Sequence, residues 1–150
     1  MAIALGEVGH IIQLAIAPVF LLTGVGTNLL VLTNRLARII DRSRMLEEKL
    51  EMGVESKAER ALDTELDILF RRARKINLAI TLSTTCALLI CVVVAALFLG
   101  DALEWRLGTL IATLFVLAMV ALTASFVYLL REILLATEFL NQQRMQGRGK

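Results

Sequence analysis

APVFLLTGVGTNLLVLTNRLARIIDRSR, residues Ala17–Arg44, begins in an apolar segment without charge and ends among arginines. Nothing interrupts the helical pattern between the two environments, so the stretch predicts one continuous helix leaving a bilayer on its basic side. Working outward, Val8–Asn34 holds no Asp, Glu, Lys or Arg, and neither does Ile76–Gly100 or Leu107–Leu130. Each block exceeds the ~18–20 residues that cross a bilayer. With 57% hydrophobic residues, 20% charged and a mean hydropathy of +0.73, a soluble domain would not gather its apolar residues in such blocks. The expected fold class is an all-α membrane protein with three transmembrane helices. A long cytoplasmic helical hairpin is expected between the first and second, with helices continuing beyond the bilayer. The boundaries are spans at about 11–34, 76–99 and 107–130, a hairpin at 35–75 and a C-terminal helical extension at 131–145. The 150 residues read as a single integral membrane domain.

Charge placement gives an orientation. Of 16 Lys and Arg, 11 lie between Arg35 and Lys75, and Arg131, Arg144, Arg148 and Lys150 follow the third block. Only Arg106 falls in the other connection. The positive-inside rule places the hairpin and C-terminus in the cytoplasm and the N-terminus outside, in a cell (inner) membrane. No Lys or Arg precedes the first block, which is therefore read as a retained span and not a cleaved signal peptide. The net charge of +2 is a topology signal. No basic cluster interleaved with aromatics points to nucleic acid.

Inside the hairpin, Ile39, Leu46 and Leu50 share a face bordered by Met45, and Gly53 breaks the helix. Ser56 with Glu59 reads as a capping box. The next helix has apolar positions at Ala58, Leu62, Leu66, Leu69, Ala73 and Ile76, the spacing of a coiled-coil stripe. Asp101 with Glu104 repeats the capping pattern, so the third helix is expected to start there, with Trp105 at the membrane interface. Beyond Leu130 the third helix continues through REILLATEFLNQQRM, with its charges expected to face water. Pro18 either kinks the first helix or marks where its regular part begins.

At 100° per residue, Thr23, Thr27, Asn34 and Asp41 fall on one face of the first helix, with Arg38 beside them and Phe20 and Leu30 on the same line. Polar side chains at membrane depth avoid lipid. Turned toward a shared axis by several copies, this line becomes a pore lining with Phe20 or Leu30 as constriction. Alternatively, the same groups hydrogen-bond between helices of one bundle. A second face carries Ala17, Gly24 and Asn28, small enough for another helix to come close. In the hairpin, Glu55, Glu59, Asp63 and Asp67 form an acidic ladder at four-residue steps. Like charges at that spacing repel, so Arg42, Arg44 and Lys49, a neighbouring subunit or divalent cations are expected to offset them.

Cys86 and Cys91, five apart on one helix, cannot bridge each other. No catalytic constellation, metal-ligand spacing or phosphate loop stands out, so neither an enzyme nor a cofactor is expected. The runs APVFLLTGVGTNLL (Ala17–Leu30) and LTNRLARIIDRSR (Leu32–Arg44), followed by a charged helical loop and two further spans, resemble a bacterial family of small membrane proteins. That family is catalogued as a domain of unknown function, the 2721 family. The resemblance implies a bacterial three-span protein and carries over no activity. Together these readings predict a homo-oligomer in the lipid bilayer, a candidate small ion channel lined by the first helix. The rival is a non-conducting scaffold or regulatory subunit that presents the hairpin to a cytoplasmic protein partner.

Overall fold

The computed structural model describes the backbone of residues 5–53, 56–103 and 107–147, and the side chains of residues 9, 10, 12–53, 58–100, 103 and 107–134. Within these residues the chain is three helices: α1 (Leu5–Glu51), α2 (Ser56–Ala102) and α3 (Gly108–Gly147). Each contains a segment long and apolar enough to cross a membrane, as a multi-pass membrane protein requires.

α1 runs through Pro18, so Pro18 does not mark the start of the regular helix. A proline inside a helix forfeits one backbone hydrogen bond, and membrane helices tolerate that loss where neighbouring groups compensate. Pro18 is buried. The helix ends where Gly53 takes φ 77° and its N–H bonds the Leu50 carbonyl at 3.2 Å. Glycine is the residue that reaches this left-handed cap without a Cβ penalty. One expectation is corrected at the other connection. Asp101 lies within α2, because the hydrogen-bond ladder carries on to Leu103 N–H donating to Leu99 O at 3.0 Å. The third helix begins only at Gly108. Glu104, Trp105 and Arg106 lie outside the described residues, as do Glu55 and the Ser56 side chain.

Burial along the helices follows a seven-residue repeat. On α1 the buried positions Pro18, Val25, Leu32, Ile39 and Leu46 are evenly spaced. On α2 Leu69, Ile76, Ser83 and Ile90 repeat likewise, and on α3 Ala118, Ser125 and Glu132. Spacing of this kind keeps one stripe of each helix inward over many turns.

Contacts divide the chain into two compact units. One comprises Met1–Leu30 with Thr81–Ala124. Its core is Val25, Cys86, Ile90, Ala118, Ala121 and Leu122, flanked by Leu21, Leu29 and Val94. The small residues Cys86, Ala118 and Ala121 allow the close helix approach on which packing in lipid depends. The other unit comprises Val31–Ile80 with Ser125–Lys150. Its core is Leu32, Ile39, Leu46, Leu66, Leu69, Ile76 and Ala79, with Leu62, Ala73, Tyr128 and Leu129 packed against it. Both predicted hairpin stripes therefore meet each other. Arg42 faces Glu65, while seven residues back on α1 and seven forward on α2 Arg35 and Arg72 share a partner, which fixes an antiparallel register.

Candidate functional site

Among the described residues of the second unit, buried polarity centres on Glu132. Glu132 of α3 is 2% exposed, although it sits in a stretch whose charges were expected to face water. The reason is its partners. Arg35 of α1 donates from Nη1 to Oε2 at 2.5 Å. Arg72 of α2 donates from Nη2 and Nε to Oε1 at 2.6 and 3.2 Å. Both carboxylate oxygens are thus satisfied by charge-assisted bonds, each from a different helix. Removing a carboxylate from water costs on the order of several kcal/mol, a penalty that pairing of this kind offsets. The two arginines are each 30% exposed, so Glu132 is enclosed while its guanidinium partners reach the surface. The cluster carries two positive charges and one negative.

The heptad explains how the sequence puts these groups together. Glu132 stands seven residues after the buried Ser125, and Arg35 seven after the buried Asn28. Ser125 itself donates from Oγ to the Ala79 carbonyl at 2.9 Å. In the first unit Asn28 Nδ2 donates to Ser83 Oγ at 2.8 Å. No buried side-chain nitrogen or oxygen among the described residues lacks a partner. Nothing in the local pattern of REILL marks its glutamate as buried. The seven-residue interval from Ser125 was the available signal.

The candidate line on α1 shares no residue with this cluster. Phe20, Thr23, Thr27, Leu30, Asn34, Arg38 and Asp41 are all exposed, Phe20 by 74%. Thr27 Oγ1 donates to the Thr23 carbonyl at 3.1 Å, and Arg38 Nε reaches the Asn34 carbonyl at 3.4 Å. Similar back-bonding serves exposed Thr85, Thr113 and Thr123 on the other helices. Of the three contact candidates, Asn28 is buried against α2, whereas Ala17 and Gly24 are exposed. A Cβ added at Gly24 would meet nothing within 4 Å.

The described members of the acidic ladder, Glu59, Asp63 and Asp67, are all exposed. Asp67 accepts from Arg71 Nε on its own helix at 3.0 Å. Glu59 and Asp63 are exposed and make no ion pair among the described residues. Arg42, expected to offset the ladder, bonds Glu65 instead, at 2.8 Å. Arg44 and Lys49 are exposed. Among the described residues no group of three or more His, Cys, Asp or Glu could hold a metal ion. Near the hairpin tip a shallow cleft of about 520 Å³ is lined by Lys49, Met52, Ala58, Ala61, Leu62 and Glu65. Cys86 is buried and Cys91 exposed, both as free thiols.

No curated protein and no solved structure matches the chain. Over residues 15–142 it matches the model of DUF2721, a protein of unknown function, and the chain belongs to that family.

Proposed function

We propose that this chain is one subunit of a homo-oligomeric membrane assembly, with the exposed line of α1 turned toward sister copies and ions passing along the shared axis. The carrying observation is that Phe20, Thr23, Thr27, Leu30 and Asn34 stay uncovered while the opposite edge of α1 is buried against α2 and α3. Hydroxyl and amide groups are better placed against protein or water than against lipid tails. Three helices cannot enclose a path alone, so conduction on this reading needs several copies. The topology it assumes has the hairpin and C-terminus in the cytoplasm, following the Lys and Arg bias. The role is non-catalytic. The test is conductance of the purified full chain in liposomes, with Thr27→Val and Asn34→Leu as variants. Conductance that both variants alter supports the pore, and absent or unaltered conductance contradicts it.

The cleft beside Met52 favours a second reading, a scaffold whose hairpin tip receives a cytoplasmic protein. Met52 is 73% exposed, and with Ala58, Ala61 and Leu62 it makes the cleft's lining largely apolar. On this reading conductance is absent, and a Met52→Glu variant abolishes partner capture while leaving the fold intact.

A further inference from the structure

The Arg35–Glu132–Arg72 cluster has more donors than its carboxylate uses. Glu132 occupies Nη1 of Arg35 and Nε and Nη2 of Arg72. The remaining guanidinium N–H groups have no protein acceptor among the described residues, and both side chains are 30% exposed. The buried carboxylate therefore holds two forks in place while leaving one net positive charge and a set of guanidinium donors it does not engage. Further cations stand close by in sequence: exposed Arg38 and Lys75, each three residues along the same helix face, and exposed Arg131 next to Glu132. Among the described residues two acids of the same unit are engaged elsewhere, Glu65 by Arg42 and Asp67 by Arg71.

The position along the chain decides what such a group meets. Arg35 directly follows the charge-free run ending at Asn34, and Arg72 lies one helical turn before the run beginning at Ile76. Side chains within a turn of a span's end lie at headgroup depth, where basic pockets between helices engage lipid phosphates. We infer that Arg35 and Arg72, held by Glu132, form a binding site for the phosphate of an anionic phospholipid headgroup. Arginine suits the task because its planar fork bonds phosphate through two parallel N–H groups. The inference does not depend on conduction or on oligomer number.

The test is mass-resolved lipid retention by the full-length protein in detergent, titrated with phosphatidylglycerol, phosphatidylcholine or inorganic phosphate. The expected result is about tenfold preference for phosphatidylglycerol over phosphatidylcholine, whose choline cation neutralises its own phosphate and meets the clamp's net positive charge, with inorganic phosphate failing to displace the lipid. Glu132→Gln is the diagnostic variant, because it raises the net charge by one yet releases both forks. Its preference should fall toward equal binding of the two lipids, whereas attraction by diffuse charge would increase it. Lys75→Gln combined with Arg131→Gln removes two charges, leaves the clamp intact and should keep most of the preference. Should Glu132→Gln not fold, Arg72→Lys keeps the charge without the fork and should lose severalfold. Equal retention of the two lipids, tighter binding by Glu132→Gln, unchanged binding by Arg72→Lys, loss of preference in the Lys75/Arg131 variant, or displacement by inorganic phosphate each overturns the assignment.

Discussion

Two ion pairs in the same unit are expected to differ sharply in worth. Arg42–Glu65 has side chains 49% and 40% exposed, where water and salt screen the attraction. Arg42→Ala should therefore cost less than about 1 kcal/mol. Glu132 is enclosed, and removing it strands two partly buried guanidinium groups. Glu132→Ala should cost ~3–5 kcal/mol. Thermal melts of both variants in one detergent check the contrast, and equal shifts would mean the buried carboxylate is not a clamp. This residue also marks the limit of what the sequence made legible. Its partners lie 97 and 60 residues away on two other helices. A local stretch with charges among leucines looks the same whether its glutamate meets water or two arginines.

At the scale of the elements, the spans and both hairpin stripes were legible because hydrophobic periodicity is a local property. Leu66, Leu69 and Ile76 are buried as their spacing required, opposite Ile39 and Leu46. Gly53 was legible as a break for the same reason, since a left-handed cap needs a residue without a Cβ. Gly53→Ala should destabilise the hairpin by about 1 kcal/mol, because the site has space for a methyl but not the backbone angle. Leu46→Ala, at 1% exposure in the centre of the stripe, should cost ~2–5 kcal/mol. Urea or thermal unfolding followed by circular dichroism distinguishes the two. The capping pattern at Asp101 does not open α3, because such a pattern states only where a helix can begin. Backbone hydrogen bonding past Leu99 continued α2 through the position.

For the whole molecule, the line from Phe20 to Asp41 was legible as a face, and the chain's own helices leave that face uncovered. What covers it depends on other molecules, which no single chain's pattern encodes. A polar edge at the end of an apolar span is expected to find protein in preference to lipid. The most direct measurement is disulfide crosslinking in native-like membranes, using single cysteines in a Cys86→Ala, Cys91→Ala background. Thr27→Cys and Asn34→Cys report on the α1 line, with Leu88→Cys and Val120→Cys as exposed controls on α2 and α3. The account predicts rapid covalent dimers from the two α1 positions and few from the controls. Monomers throughout, or crosslinking no faster at Asn34 than at Val120, would contradict it.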